Sequence, residues 1–258
     1  MNRSDPAPAT PTLSIILPMF NEGATVAVAL QALAPLRARG VQLIVVDGAS
    51  TDDSVAQAMR ASNRGERDAA TGGGAGLQAP LDGQGPCQVI STPRGRATQM
   101  NAGARQAQGA VLLFLHADTQ LPPAADALIT QALADGRHVW GRFDVRIAGR
   151  PWMLRVIAAL MNQRSRWTGI ATGDQALFMT RAAFDAVGGF PNQALMEDIA
   201  ISKRLLRLSR PACLRARVVT SGRRWEARGV WHTVWLMWRL RWAYWRGASP
   251  EALAALYR

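Results

Sequence analysis

Three acidic positions each follow a short apolar run typical of a buried β-strand: Asn21-Glu22, Asp47 and Asp118. Carboxylates are preferred ligands of hard cations such as Mg²⁺ and Mn²⁺, and they also accept hydrogen bonds from nucleobase and ribose groups. If the strands are parallel, their carboxyl ends meet at one edge of the sheet, and the three positions line one crevice. The alternative for any one of them is a helix cap.

The apolar residues around these positions alternate between strand and helix patterns. Strands are predicted over residues 13–17, 41–46, 88–92, 110–115, 139–147 and 176–180. Helices are predicted over residues 24–39, 51–60, 98–108, 122–134, 181–187, 198–208 and 229–246. The Gly/Ala/Gln-rich stretch 61–86 is predicted to be a flexible surface insertion. Such a β-α-β order predicts an α/β protein with a mostly parallel sheet.

The positive charge of the chain is concentrated near its C-terminal end. The 258 residues carry a formal net charge of +12, but residues 1–198 hold 17 Lys and Arg against 16 Asp and Glu. Residues 199–258 hold 13 basic residues against 2 acidic ones, so a basic surface is expected in that part alone.

Further signals limit the class of protein. Cys87 and Cys213 show no Cys-x-x-Cys spacing and no Cys/His cluster, so neither a disulfide framework nor a zinc site is predicted. The N-terminus lacks the pattern of a signal peptide, and no apolar run reaches the about 18 residues of a spanning helix, so a cytoplasmic location is expected. Phosphate-loop and dinucleotide-binding glycine motifs are absent. The charge of a bound diphosphate would then be offset by a carboxylate-held metal, assisted by Arg94 or Arg96.

An ordered set of motifs runs through residues 13–226. They are Pro18-Met-Phe-Asn-Glu22, Val46-Asp-Gly-Ala-Ser-Thr-Asp52, Gly95-Arg-Ala-Thr-Gln-Met-Asn-Ala-Gly103, Leu115-His-Ala-Asp-Thr119, Thr172-Gly-Asp-Gln-Ala-Leu-Phe178, Gly188-Gly-Phe-Pro191, Met196-Glu-Asp198 and Arg223-Arg-Trp225. Each motif alone is weak, but the ordered set resembles the inverting family-2 glycosyltransferases, and among them a small bacterial soluble subgroup with a Leu-His-Ala-Asp-Thr metal motif.

The resemblance implies a GT-A fold, which is a Rossmann-like αβα sandwich with a mostly parallel mixed sheet, here with a C-terminal helical extension. The chain would comprise a disordered tail (1–12), a catalytic domain (13–226) and a Trp/Arg-rich amphipathic extension (227–258). Within the catalytic domain, a nucleotide-binding half (13–120) would precede an acceptor half (121–226).

The resemblance also implies roles for individual residues. Asp118 would bind Mn²⁺ or Mg²⁺ beside a UDP- or GDP-linked sugar. Asp198, next to Glu197, would be the general base that takes the acceptor proton during inverting transfer, with a helix N-cap as the alternative. Residues implied at the donor and the adjoining pocket are Pro18, Asn21, Glu22, Asp47, Ser50, Arg96, Asn101, His116, Ala117, Gly173, Asp174, Arg224 and Trp225.

His116 departs from the family pattern, because most members have Asp-x-Asp where this chain has His-Ala-Asp. Two interpretations stay open for it: a ring packed at the end of a buried strand, or a direct ligand.

Five tryptophans spaced 4, 3, 4 and 3 residues apart would share one helix face: Trp231, Trp235, Trp238, Trp242 and Trp245. Arginines flank them, so the face could rest on an anionic membrane at the inner leaflet, within reach of a lipid-linked acceptor. Alternatively, it packs on the catalytic domain or on another subunit. No groove-reading or base-stacking motif accompanies it, and nucleic acid is not an expected partner.

Two other functions fit a similar fold. A nucleotide-sugar-binding module could keep the architecture without catalysis, although the retained Asp118 and Asp198 argue against it. A nucleotidyltransferase would use a similar crevice and metal, but it normally needs a Gly-rich, basic loop after the first strand, which Met19-Phe-Asn-Glu22 is not. The acceptor is a lipid or a small molecule that the sequence does not identify.

Overall fold

The strands and helices follow the predicted alternation over the parts of the chain that the computed structural model describes, residues 12–70 and 85–257. The strands are β1 (Leu13–Met19), β2 (Gln42–Asp47), β3 (Cys87–Ser91), β4 (Val111–Phe114), β5 (Thr119–Gln120), β6 (Trp140–Ala148), β7 (Leu177–Thr180) and β8 (Ala212–Ser221). The helices are α1 (Gly23–Arg37), α2 (Ser54–Ala70), α3 (Arg96–Gln106), α4 (Ala125–Leu133), α5 (Met153–Thr168), α6 (Arg181–Ala186), α7 (Glu197–Leu205), α8 (Arg223–Arg228), α9 (Val230–Trp245) and α10 (Pro250–Tyr257). A 3-10 turn covers Gly173–Gln175.

The strands form a mixed sheet with the order β3-β2-β1-β4-β7-β6-β8-β5. Neighbours among β1 to β4 are parallel, β7 is antiparallel to β4 and β6, β8 is parallel to β6, and β5 is antiparallel to β8. The chain moves outward from β1 to β3 and then returns on the other side of β1 as β4. A crevice therefore opens where β1 and β4 end.

The alternation of side chains along β1 explains why helices cover both faces of the sheet. Ile15 and Leu17 join a buried cluster with Leu30 of α1, whereas Ile16 joins a second cluster with Met100 of α3. Since successive side chains of a strand point to opposite faces, an unbroken apolar strand needs cover on both sides. The predicted α/β fold with a mostly parallel mixed sheet is confirmed.

One predicted boundary needs correction. Helix α2 continues to Ala70, ten residues past its predicted end at residue 60, so residues 61–70 of the predicted flexible insertion are helical. This stretch is rich in alanine, arginine and acidic residues, and their helix propensity outweighs the single Gly65. Residues 71–84 of the insertion and residues 1–11 of the predicted tail lie outside the described residues.

The last helices pack on the region just before α7. Leu236 and Leu240 of α9 form a buried cluster with Met196 and Ile199, and Leu253 of α10 closes it. The five tryptophans of α9 point the other way and are 59–76% exposed. The interpretation that this aromatic face packs on the protein's own core is therefore wrong.

Candidate active site

The loops after β1 and β2 are joined by hydrogen bonds. The Asn21 backbone N–H donates to Ser50 Oγ (2.9 Å), and the Thr51 N–H donates to Asn21 Oδ1 (2.9 Å). Asp47 is buried, and its carboxylate accepts the Ser50 N–H at 3.2–3.3 Å. Asn21, Asp47 and Ser50, all predicted for donor binding, thus form one connected wall of the crevice, with Glu22 at the start of α1.

Gln99 ties this wall to the sheet, and the sequence prediction does not assign it a role. Its side-chain amide donates to the carbonyl oxygens of Met19 (2.7 Å) and Val46 (2.8 Å), at the ends of β1 and β2. A β-carbon at Gly48 would stand 2.8 Å from the Gln99 amide carbon, so any larger residue there would displace this amide from its two carbonyl partners. The position of Gln99 inside the Gly95–Gly103 motif is the signal that could have found it.

Asp118 lies where β5 begins, beside the end of β8. Its backbone carbonyl accepts the Ser221 N–H at 3.2 Å, and its carboxylate accepts a longer bond from the Thr119 hydroxyl at 3.4 Å. From the adjacent α8, Arg223 reaches back to Glu22, with 3.7 Å between Nη2 and Oε2. Helix α8 therefore faces the ends of both β1 and β4, and Arg223 is a further site residue that the sequence prediction does not single out.

A chain of polar contacts leads from the Asp118 segment to the start of α7. His116 Nδ1 lies 3.3 Å from Asp174 Oδ1, and the backbone N–H of Gly173 donates to Asp198 Oδ2 at 3.1 Å. The His116 ring packs so closely on Gly173 that an added β-carbon would lie 2.5 Å from Nε2. The structure thus brings His116, Gly173, Asp174 and Asp198 together as the other wall of the crevice.

The charges around Asp198 favour a carboxyl group that titrates near neutrality. Burial and the negative charge of Glu197 raise the pKa of Asp198 to about 6, although the N–H groups of Gly173 and Ile199 and the charge of Arg96 work in the opposite direction. Glu197 itself is buried and lies 3.5 Å from Arg96 Nη1. A partly buried carboxylate with such a pKa is suited to general base catalysis.

The pKa shifts of two charged neighbours, Arg96 and Asp174, both favour the ionised form. Burial lowers the pKa of Arg96, but the charges of Glu197, Asp174, Tyr257 and Asp198 outweigh it and raise this pKa above its usual range. Burial would raise the pKa of Asp174, but the hydrogen bond and charge of His116, followed by Arg96 and Arg224, bring it below its ordinary value. Arg96 and Asp174 therefore keep their charges at neutral pH, next to the Asp198 carboxyl with its raised pKa.

Arg164 of α5 is a further charged neighbour of Asp198. Two of its guanidinium nitrogens, Nε and Nη2, are buried and have no hydrogen-bond partner among the described residues. Burial lowers its pKa, which the charge of Asp198 partly offsets. The sequence prediction places no helix over residues 153–168 and gives Arg164 no role, although Leu154, Ile157 and Met161 have the spacing of a helix face.

Backbone strain gathers in the same loops. Among the described residues, the non-glycine positions with positive φ are Asn21 (52°), Ala49 (60°), Ala176 (48°) and Met196 (65°). Two lie in the strand-end loops, one follows the Gly173–Gln175 turn, and Met196 directly precedes Glu197. Such conformations cost about 1–3 kcal/mol each and persist where the surrounding structure holds a functional geometry.

Some predicted donor residues have other contacts in the structure. Both ends of the Asn101 amide bind the backbone of Phe190, at 2.8 and 2.9 Å. Trp225 packs against the core beneath α5, and Ala117 is buried there too. Arg224 stacks on Tyr257 at 5.3 Å and bonds to its hydroxyl, which closes the crevice edge with α10. Pro18 lies in β1 opposite Val46, so it shapes the wall and donates nothing.

A metal at this site would have to be held by few protein ligands. Within residues 12–70 and 85–257, no group of three or more His, Cys, Asp or Glu side chains could hold an ion. Mg²⁺ commonly binds one or two carboxylates and completes its shell with water and substrate phosphates. The carboxylate of Asp118, with its single long hydrogen bond, fits that kind of site but not a closed structural one.

A family model described as glycosyl transferase family 2 matches residues 14–190. The chain belongs to this family. The sequence resemblance to family-2 enzymes is thereby confirmed, while membership of the small subgroup with the Leu-His-Ala-Asp-Thr motif stays a prediction.

The relatives within the family include curated mycobacterial proteins. Over 150 residues the chain is 34% identical to a PGL/p-HBAD biosynthesis glycosyltransferase from Mycobacterium tuberculosis, covering 56% of this chain and 51% of the relative. A Mycobacterium bovis protein with the same description matches equally. The chain thus spans about half the length of the curated relatives it matches.

Solved structures of other proteins share the fold. The mannosyltransferase PcManGT from Pyrobaculum calidifontis, in complex with GDP-Man and Mn²⁺, matches with a TM-score of 0.62 and 20% identity over 99% of this chain and 71% of that chain. S. aureus TarS 1-349 in complex with UDP matches with a TM-score of 0.60 and 17% identity, over 81% and 60%. At these identities the likeness establishes the GT-A fold alone.

Across the described residues, no helix is long and apolar enough to cross a bilayer.

Proposed function

We propose that this family-2 protein transfers a sugar from a nucleoside diphosphate carrier, UDP- or GDP-linked, to an acceptor hydroxyl with inversion at the anomeric carbon. The observation that carries the proposal is the polar chain from the Asp118 segment through His116, Asp174 and Gly173 to Asp198. It leads from the segment after β4, which carries the Asp118 carboxylate, to a base-like carboxyl at the start of α7. Solved neighbours bound to GDP-Man with Mn²⁺ and to UDP support a donor of this class.

On the donor side, Asp47, Glu22 and the Asn21–Ser50 loop pair would bind the nucleoside. Their carboxylates and amides are acceptors for base and ribose groups, and Gln99 keeps both loops in register. Asp118 would hold Mn²⁺ or Mg²⁺, which when bound offsets the negative charge of the diphosphate leaving group. Arg96 and Arg223 stand at the rim of the crevice with their charges partly offset by Glu197 and Glu22.

On the acceptor side, Asp198 would remove the proton of the attacking hydroxyl. The new bond forms between the acceptor oxygen and the anomeric carbon while the bond to the diphosphate oxygen breaks, and the proton ends on an Asp198 oxygen. The Gly173 and Ile199 N–H groups fix the carboxylate orientation by donating to Oδ2 (3.1 Å) and Oδ1 (2.7 Å). His116 and Asp174 are positioning residues that hold the Gly173 turn.

Calorimetric titration of UDP and of GDP, each with and without Mn²⁺, tests the donor half of the proposal. We expect one nucleotide to bind only with the metal and Asp118→Ala to abolish that binding. Asp135→Ala is the matched control, because Asp135 is an exposed carboxylate at the end of α4, remote from the crevice in the fold. Absence of binding by both nucleotides under every condition would contradict the proposal.

A measurement of turnover distinguishes a transferase from a catalytically silent binding module. With the nucleotide identified by titration, its sugar conjugates are incubated with the protein and nucleotide release is measured. Binding without release, in the presence of candidate acceptors or of water, would favour the silent module. Release of pyrophosphate when the nucleoside triphosphate and a sugar 1-phosphate are supplied, with no nucleoside diphosphate released from the sugar conjugate, would favour a nucleotidyltransferase.

A further inference from the structure

The surface of α9 combines exposed aromatic rings with positive charge. Its five tryptophans lie on the face opposite Thr233, Leu236 and Leu240, which are buried. At a rise of 1.5 Å per residue, the stripe from Trp231 to Trp245 is about 20 Å long. The guanidinium of Arg239 lies over the Trp235 ring at 5.3 Å, and that of Arg246 lies over the Trp242 ring at 5.0 Å.

Helix α5 presents a second exposed aromatic face. Trp152, just before the helix, and Leu160 and Trp167 within it are 64–72% exposed, while Leu154 and Ile157 on the other side are buried. This row of exposed apolar side chains adds two tryptophans, Trp152 and Trp167, to the five of α9.

The segments that flank α5 lie near α9 at both ends. At their starts, the Arg150 N–H donates to Glu226 Oε1 at 2.7 Å, and Arg150 and Val230 line the same groove. At the other end of α5, Ile170 packs in the cluster that contains Leu236 and Leu240 of α9. Together the two helices form an aromatic surface, which we call the α5/α9 surface.

The charged side chains of α5 and α9 themselves are basic, and Glu226 of α8 lies at the edge of the surface. Neither α5 nor α9 contains an aspartate or a glutamate, while Arg155, Arg239 and Arg246 are exposed. A second copy of the chain docked through the same face would set arginine against arginine, because a two-fold interface pairs a patch with itself. An anionic lipid surface complements the charge, and tryptophan favours the headgroup region, where its ring is covered and its N–H remains hydrated.

We propose that the α5/α9 surface docks the protein on the headgroup region of an anionic phospholipid bilayer. The tryptophans enter the interface, and the arginines remain at phosphate level with their stems along the rings. The open groove between α9 and α10, lined by Trp235, Arg239 and Tyr257, leads from this surface to Arg224 at the crevice edge. The proposal goes beyond the proposed sugar transfer, and the test below does not depend on catalysis.

Vesicle flotation of the full chain tests the proposal. Vesicles of phosphatidylcholine alone are compared with vesicles that also contain phosphatidylglycerol, at low and high salt. We expect flotation with the anionic vesicles, weakened by salt and weak or absent with phosphatidylcholine alone. No flotation with anionic vesicles at low salt would overturn the proposal.

Paired substitutions locate the contact. Trp238→Gln with Trp245→Gln should weaken binding by about tenfold or more, since each ring leaves the interface. Arg239→Gln with Arg246→Gln should weaken binding to anionic vesicles by about fivefold per charge. The control pair, Val28→Gln with Leu208→Gln, changes apolar side chains that are 59% and 48% exposed outside this surface, and should bind like the native chain.

Two further readouts decide between occupants. Brominated lipids should quench the fluorescence of the native chain, and the Trp238/Trp245 variant should lose most of this quenching. Sedimentation velocity without vesicles reports the oligomeric state. A native dimer that the tryptophan variant converts to a monomer, with vesicle binding equal in the two proteins, would assign the surface to a second copy and overturn the proposal.

Discussion

Asp198 is the residue on which the proposed chemistry depends most directly. Its carboxylate has two backbone N–H donors, a buried acidic neighbour and a nearby guanidinium, so its protonation is set by groups that the structure holds in fixed positions. The N-cap alternative for this residue does not hold. Helix α7 begins at Glu197, Met196 occupies the N-cap position, and the bonds from Gly173 and Ile199 serve the Asp198 carboxylate inside the first turn.

Asp198 leads to a prediction on pH dependence. A general base works only when ionised, so kcat/KM should fall by about tenfold per pH unit below a pKa of about 6 and level off above it. Glu197→Gln removes the charge that helps to raise this pKa, and the acid limb should move to lower pH. Asp198→Asn should lower kcat by at least about a hundredfold at every pH while nucleotide binding in the calorimeter is retained. An unchanged acid limb in Glu197→Gln would show that another group controls the profile.

Gly173 provides a second test at this scale. In Gly173→Ala the new methyl group would stand 2.5 Å from His116 Nε2, so the ring must leave its place beside Asp174. We expect the turnover number to fall by about tenfold or more, since small displacements in an active site are costly. The control is the double variant with His116→Ala, in which the ring is gone. There the Gly173 substitution should have little additional effect, and equal losses in both backgrounds would disprove the steric coupling.

At the scale of elements, the crevice depends on how α3 is attached to the ends of β1 and β2. The Gln99 side chain is buried and donates to two carbonyl groups near the strand ends, those of Met19 and Val46. The loops that carry Asn21 and Asp47 begin directly after these carbonyls. The geometry of the donor wall is therefore a property of the α3–sheet contact as well as of the loops.

Gln99→Ala should accordingly affect stability and nucleotide binding together. It removes one donor from each of two carbonyl oxygens, of which that of Met19 keeps the Gly48 N–H, so the unfolding free energy should fall by about 1–3 kcal/mol; it also loosens the wall proposed to contact the nucleoside. Urea denaturation and calorimetry measure the two effects. Gln106→Ala, at the exposed end of the same helix, is the control and should change neither quantity. A stable Gln99→Ala protein with native nucleotide affinity would contradict this view of α3.

At the scale of the whole molecule, the C-terminal helices support the catalytic part of the chain. Leu240 of α9 is fully buried and packs in one cluster with Met196 and Ile199. Met196, which has a positive φ and precedes Glu197, therefore packs on the C-terminal helices. The predicted boundary at residue 226 marks a change of composition, but the core crosses it. The positioning of Asp198 is thereby coupled to the same helix that carries the exposed tryptophans.

Leu240→Ala tests this coupling. The cavity should lower the unfolding free energy by about 2–5 kcal/mol and also lower the turnover number, because the support of the α7 start is weakened. Trp238→Ala on the exposed face of α9 is the matched control. In the absence of membranes it should change stability by no more than about 0.5 kcal/mol and leave turnover unchanged. Equal turnover in Leu240→Ala and native protein would show that α7 is held independently of α9.

The sequence by itself determined the alternation of strands and helices, the carboxylates after the strands and the α/β class. These follow from local periodicity and from the rule that parallel strands end at one edge, and they require no knowledge of distant contacts. The spacing of the five tryptophans also determined a one-sided aromatic helix. Local patterns were sufficient there because each signal lies within one element.

Only the tertiary structure decided which partners each residue has. The pairing of His116 with Asp174, the bonds from Gln99 to two strands and the contact of Asn101 with Phe190 join residues that are 53 to 89 positions apart. The tryptophan face was exposed and not buried because Leu236 and Leu240, on the opposite side of α9, had already filled the contact with α7. The sequence pattern of α9 shows two apolar faces, and only the packing of distant residues decides which face is buried. The composition of α9 alone therefore could not show that the tryptophan face is exposed.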